Sequence, residues 1–417
     1  MDENKIADAL ERSNKWWKDE FKLDFKPRDA YDEIQKFMHT RQIIALTGLR
    51  RVGKTTIMFK VIKDSISGFG KENIVYFSFD DFRDTRLDDI FRVYSRLMNK
   101  DINKTKYIFL FDEIQKLENW EEQLKVLYDN YSNIKFIISG SESLFIRKKS
   151  KENLSGRIYE FNIKTLTFKE FLKFKNKVFD NIELYKQEIL KEFKNFLFCN
   201  GFPEIIDETC EISEKYLKDN VIEKIIYKDI PQIMDVRDPA ILEQIFRIIL
   251  LEPGKIINFD KLSKEIGVSR QTVSLYLSYL EKSFLIRKLY NFSKNARKTQ
   301  RRSKKYYPTI IVPEIIEKKE FFGMVFETAM ILQLDAEYFW RDSYKNEIDI
   351  IKLIEKKVIP IEIKLSKIDE KAMKIFMKKF SVAEGLILTY EKKENIKING
   401  REIKVRPFYE YLLDVIS

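Results

Sequence analysis

The chain has 417 residues, too many for one ordinary core, so two or three domains are expected. Apolar residues at 44% and charged residues at 34% exclude a disordered or fibrous chain. Lys and Arg number 77 against 66 Asp and Glu, a net +11 that favours polyanions such as nucleic acid, although genome-wide lysine usage would leave the same surface.

The N-terminal MDENKIADALERSNKWWKDEF is charged throughout and lacks the apolar core of a signal peptide. With no run long enough to span a bilayer, a cytoplasmic protein without a membrane partner is expected. Cys199, Cys210 and the single His39 fit no metal-ligand spacing.

Short apolar runs at 42–47 (QIIALT), 74–79 (IVYFSF), 107–111 (YIFLF) and 134–139 (IKFIIS) alternate with segments long enough for crossover helices. This predicts an α/β fold with a buried parallel sheet. From 167 to about 233 the pattern changes to charged amphipathic helices broken at Asn200-Gly201-Phe202-Pro203, a helical lid or connector. After Pro253-Gly254 it becomes helix, turn, helix, strand up to Phe292. A basic run at 293–305 (SKNARKTQRRSKK) leads into mixed strands and helices to the end.

Between the first strand and the following helix lies GLRRVGKT: Gly48, Leu49, Arg50, Arg51, Val52, Gly53, Lys54 and Thr55, then Thr56. It matches G-x-x-x-x-G-K-[ST]. Its glycines let backbone N–H groups curl around phosphates, Lys54 neutralises β and γ oxygens, and Thr55 offers a hydroxyl to Mg²⁺. ATP and Mg²⁺ are the cofactors this motif predicts.

The strand 107–111 delivers Asp112 and Glu113 at its C-terminal edge, where ligands of α/β sheets collect. Asp112 is expected to hold Mg²⁺ and Glu113 to act as general base toward the attacking water. The next strand ends in Ser139-Gly140-Ser141. If it neighbours the P-loop strand, Ser139 lies beside the γ-phosphate as a sensor; the alternative is an ordinary Ser/Gly turn. Arg157 would serve as an arginine finger or sensor, or as a plain surface arginine.

The motifs TGLRRVGKTT, IFLFDEIQ, FIISGSES, LSGRIYEFNIKTLTFKEFL and FLFCNGFPEII together resemble the archaeal-type AAA-superfamily ATPases, close to the STAND class. That resemblance implies a P-loop domain followed by a winged helix and a small α/β restriction-endonuclease-like region. It also implies an arginine near the adenine pocket, a place taken here by Arg28 in FKPRDAY. The expected division is a P-loop ATPase core at 1–165, a helical lid at 166–240, a winged helix at 241–310 and the restriction-endonuclease-like domain at 311–417.

In the third segment, 259–266 and 269–282 read as two helices joined at Gly267, with Ser269 as N-cap and Val273, Leu277 and Leu280 as an inner stripe. Arg270, Gln271, Ser274 and Tyr276 would face outward toward DNA, unless the module only packs against protein. A wing strand is expected at 284–290. Arg297, Lys298, Arg301, Arg302, Lys304 and Lys305 form a basic stripe able to bind phosphate backbones, or a solvated loop.

In the tail, Glu327 on a helix, Asp349 on one strand and Glu362 with Lys364 on the next resemble the D…(D/E)xK core of restriction-like nucleases. There Asp349 and Glu362 would bind Mg²⁺ and Lys364 would orient hydroxide. The resembled family carries K-L-Y-F-x-D-x-G after the winged helix, and Lys305-Tyr306-Tyr307-Pro308-Thr309 departs from it. The leading expectation is Mg²⁺-dependent ATP hydrolysis coupled to DNA. Its rivals are a STAND-like ATPase acting on a protein partner or by homo-oligomerisation, and an ATP-gated nuclease.

Overall fold

The computed structural model describes residues 3–140, 154–355, 357–398 and 400–414. These form two compact units, Met1–Thr165 and Leu166–Ser417.

The first unit is built on five strands: β1 (Ile43–Thr47), β2 (Ile74–Ser78), β3 (Tyr107–Asp112), β4 (Ile134–Ser139) and β5 (Ile158–Asn162). Their order is β2-β3-β4-β1-β5, and every pairing is parallel. Crossover helices Lys54–Phe69, Leu87–Met98 and Trp120–Asn130 cover the faces. β1, β3 and β4 are buried at every residue, which is why their sequences run apolar without alternation. The edge strand β5 is largely exposed. β2, the opposite edge, is covered by the N-terminal segment: the Asn14 amide donates to Tyr76 O and accepts from Tyr76 N at 2.8 and 2.7 Å. Trp16 and Trp17 both donate from their indole nitrogens to Ile74 O.

The second unit begins with helices. Thr167 and Glu170 close a capping box on Phe168–Phe174, and Lys186–Cys199 follows. That second helix ends at Asn200, in the left-handed region, whose side chain pairs with both the N–H and the carbonyl of Ile311. Gly201 O accepts from Leu166 N at 2.8 Å, so close that a Cβ on Gly201 would lie 2.6 Å from Leu166 O. The NGFP turn is therefore a backbone junction.

Helices Pro239–Leu251, Phe259–Ile266 and Arg270–Lys282 come next. Gly267 ends the second in the left-handed region and Ser269 caps the third, its hydroxyl accepting from Thr272 N at 3.0 Å. Val273, Leu277 and Leu280 are buried as the periodicity predicts, but so is Tyr276, which does not face outward. It stacks on Tyr279 one turn later, because an aromatic ring beside the inner stripe gains more from burial than from solvent.

An eight-stranded mixed sheet completes the unit: β6 (Ile286–Asn291), β7 (Lys304–Pro308), β8 (Tyr338–Arg341), β9 (Glu347–Ile354), β10 (Lys357–Lys364), β11 (Glu384–Thr389), β12 (Glu394–Ile398) and β13 (Arg401–Pro407). The order is β12-β13-β11-β10-β9-β8-β6-β7. The hairpin of β6 and β7 thus belongs to the same sheet as the tail strands. Part of the basic run forms the helix Ala296–Arg301, capped by Asn295. Lys305 is only 4% exposed, so it leaves the basic stripe and joins the interior.

Candidate functional site

At the C-terminal edge of the first sheet, β1 turns into the P-loop through Gly48 at φ +143° and enters the helix Lys54–Phe69 through Gly53 at φ +97°. A Cβ on Gly48 would lie 2.1 Å from Ile163 O, so the chain after β5 packs directly on the first glycine. Arg51 also takes a positive φ, while Leu49 and Val52 anchor the loop in the core. Thr56 is exposed on the first helical turn and Arg50 is partly buried. Arg28 is 5% exposed; its guanidinium donates to Val52 O at 2.9 Å and Lys164 O at 2.8 Å, bracing the loop from behind.

Lys54 Nζ donates to the carbonyls of Gly48 and Leu49, both at 2.9 Å. Asp112 is the hub of the site. Its Oδ2 accepts from Thr55 Oγ1 at 2.7 Å and from Tyr76 OH at 2.8 Å, and its Oδ1 accepts from the Ser139 hydroxyl and from Glu113 N. Because β4 lies between β1 and β3, Ser139 pairs with Leu46 and reaches Asp112. Ser141 falls outside the described residues.

Glu113 takes a left-handed conformation that turns its side chain off the strand, and Gln115 Nε2 donates to its Oε2 at 2.7 Å. Burial raises the Glu113 carboxyl above the usual range and Asp112 adds to this, against the pull of Lys54. Such a carboxylate is a stronger base than a solvated one.

Arg157 is not brought to this site. The parallel register pairs Ile43 with Ile158 and Thr47 with Asn162, so Arg157 precedes β5 at the N-terminal edge, opposite the P-loop. Its guanidinium donates to Asp129 at 3.0 and 3.2 Å, as in the surface-arginine alternative. Tyr76 is the residue that sequence reasoning missed. Nothing in IVYFSF marks its hydroxyl, and only the pairing of β2 with β3 reveals it.

In the second unit, Arg270 and Gln271 are exposed at the start of their helix, with Arg270 3.4 Å from Asp260. Arg301 is exposed, whereas Arg302 is partly buried and donates to Phe292 O. Glu327, Asp349, Glu362 and Lys364 do come together, joined by Lys305, Tyr307 and Glu347. Tyr307 OH donates to Glu327 Oε1 at 2.7 Å, Lys305 Nζ sits 2.5 Å from Glu347 Oε1 and 3.9 Å from Glu327 Oε1, and Lys364 Nζ lies 2.8 Å from Glu362 Oε1. Asp349 Oδ2 accepts from Ile363 N at 2.8 Å. Burial raises Glu362 to about 7 and also raises Glu327 and Asp349. Among the described residues, no group of three or more acidic, His or Cys side chains is disposed to hold a metal ion.

Residues 40–172 match the family model described as an AAA domain. The first unit carries this P-loop ATPase-type fold. Residues 190–309 and 322–411 match two further family models, each described as a domain of unknown function (DUF8612 and DUF4143). Two uncharacterised proteins of Methanocaldococcus jannaschii are similar along almost the whole length. One is 28% identical, covering 95% of this chain and 93% of the relative; the other is 26% identical, covering 93% and 89%. An uncharacterised protein of Haemophilus influenzae is 27% identical over 67% of this chain and 70% of its own. The solved Pif1 helicase of Candida albicans is similar at 12% identity over 42% of this chain and 48% of that chain, with a TM-score of 0.27. No helix among the described residues is long and apolar enough to cross a membrane.

Proposed function

We propose that the chain binds ATP with Mg²⁺ at the P-loop and hydrolyses it, and that the Leu166–Ser417 unit couples this cycle to DNA. The observation that carries the first part is the convergence of Thr55 and Ser139 on Asp112 beside Lys54 and Glu113. Thr55 and Asp112 fit a hard cation: both offer oxygen, and Asp112 is held from several sides. Thr55 and Asp112 would hold Mg²⁺, which would supply charge neutralisation for the phosphates. Lys54 turns from the carbonyls of Gly48 and Leu49 to phosphate oxygens, a short swing for a flexible ammonium. Backbone N–H groups of residues 49–55 cradle the phosphates, Ser139 orients the γ-phosphate, Glu113 takes the proton from the attacking water, and Arg28 holds the loop rigid.

The DNA reading is supported by the exposed Arg270 and Gln271 at the N-terminus of the third helix of a helix-turn-helix and strand arrangement, and by exposed Arg297, Lys298 and Arg301. We read 241–310 as a winged helix on this basis, and 311–417 as restriction-endonuclease-like because β9 carries Asp349 beside β10 with Glu362 and Lys364. Hydrolysis is tested by ATPase rates with and without DNA, with Lys54→Ala and Glu113→Gln as controls; wild-type turnover in Glu113→Gln would remove that residue as base. Mobility shift against salt tests the DNA part. Arg301→Ala is expected to lower the salt slope by about 1, and no retention at low salt would leave a protein partner or self-assembly as the output.

A further inference from the structure

The charged cluster of the second unit contains a cation of its own. Lys305 lies two residues before Tyr307 on β7, so both side chains project to one face, toward Glu327 on the helix Phe322–Gln333 and Glu347 on β9. The Lys305 ammonium is enclosed by carboxylate and aromatic faces. Besides Glu347 and Glu327, it stands 5.4 Å over the Phe339 ring and 6.0 Å over that of Tyr307. Carboxylates with aromatic faces suit an ammonium. A divalent metal asks instead for a closed shell of oxygens at about 2.0–2.6 Å.

The charge balance points the same way. Glu327, Glu347, Asp349 and Glu362 face Lys305, Lys364 and Arg341, the last 3.4 Å from Glu347. Three positive charges already offset most of these four carboxylates. Each acid also has one partner within the protein: Glu327 accepts from Tyr307, Glu347 from Lys305, Asp349 from Ile363 N, and Glu362 from Lys364. Glu362 Oε2 is buried without a hydrogen-bond partner, on the side of the cluster served by Lys364.

We propose that the Lys305 ammonium takes the seat that a divalent ion would need, so that this cluster is a metal-independent element that does not cut nucleic acid. The lysine acts as a tethered counter-ion, contributed by the same hairpin that follows the helix-turn-helix. This inference rests on the second unit alone and is independent of the ATP site.

Mn²⁺ binding to the nucleotide-free full chain, counted by electron paramagnetic resonance, tests it. Wild type and Asp349→Asn are expected to bind equal numbers of ions. Lys305→Met is expected to gain one site, tighter than any wild-type site by at least about tenfold, and Lys305→Met with Asp349→Asn to lose it again. Loss of a wild-type site in Asp349→Asn overturns the proposal, as does a folded Lys305→Met protein that gains none. If Lys305→Met does not fold by circular dichroism, the comparison of wild type with Asp349→Asn and Glu362→Gln decides alone. Mn²⁺-dependent DNA cleavage by wild type that disappears in Asp349→Asn while ATPase persists also overturns it.

Discussion

Tyr76 donates its hydroxyl to Asp112 Oδ2 at 2.8 Å, from β2 to the end of β3. Burial, with the Asp112 charge second, pushes the phenol well above its ordinary value, so it stays a donor at every working pH. Tyr76 therefore orients the acid expected to hold Mg²⁺ without itself meeting nucleotide. Tyr76→Phe keeps the ring against Phe59 and removes only this bond. The Mg²⁺ concentration for half-maximal ATPase should rise roughly tenfold, the lower end for losing an outer-shell partner, with kcat near wild type at saturating Mg²⁺. A Mg²⁺ titration of the ATPase rate checks this; an unchanged midpoint would remove Tyr76 from the site.

Glu113 gives the reaction its pH dependence. Its raised carboxyl must be unprotonated to act as base, so activity falls as pH drops through a value above the ordinary carboxylate range. The acid limb of kcat against pH should sit correspondingly high. Glu113→Gln should lower kcat by about 100-fold or more while ATP binding is retained. An acid limb in the usual range for a solvated carboxylate would count against the assignment.

Arg157→Ala is expected to leave both the ATPase rate and ATP affinity unchanged, since the residue lies at the far edge of the sheet and binds Asp129. Arg28→Ala should weaken ATP binding by releasing the carbonyls of Val52 and Lys164. Nucleotide titrations of the two variants side by side make the contrast; equal losses in both would contradict this geometry.

Gly48 and Gly201 are both pressed against backbone carbonyls, but in different units. Gly48→Ala should abolish nucleotide binding by displacing the P-loop from Ile163. Gly201→Ala must accommodate a Cβ at φ +69° against Leu166 O, and should cost about 1–3 kcal/mol of stability while P-loop nucleotide affinity is retained. Thermal unfolding with and without ATP separates the two outcomes.

The P-loop, the Asp112 and Glu113 pair and Ser139 were legible because strand burial and phosphate binding leave local signatures: an unbroken apolar run, glycines, then the polar residue at the strand end. The buried stripe of the helix Arg270–Lys282 was legible for the same reason, through its spacing. Tyr76, Lys305 and Arg157 were not. Each depends on which strands become neighbours and in what register, and no window along the chain contains that. Lys305 looked like its basic neighbours until the hairpin turned it inward, and Arg157 looked close to the P-loop only because it follows Ser139 in sequence.

The grip of Asn14 on Tyr76 has a meaning beyond local order. A single side-chain amide offers β2 the donor and acceptor that another strand would have offered, and the two indoles occupy the carbonyl of Ile74 two residues earlier. The border of the nucleotide-binding sheet is thereby counterfeited by one asparagine, leaving a second molecule nothing to pair with at Tyr76. An Asn14→Ala chain would unseal that border, and its first symptom should be concentration-dependent self-association through β2, visible by light scattering before any loss of helix content.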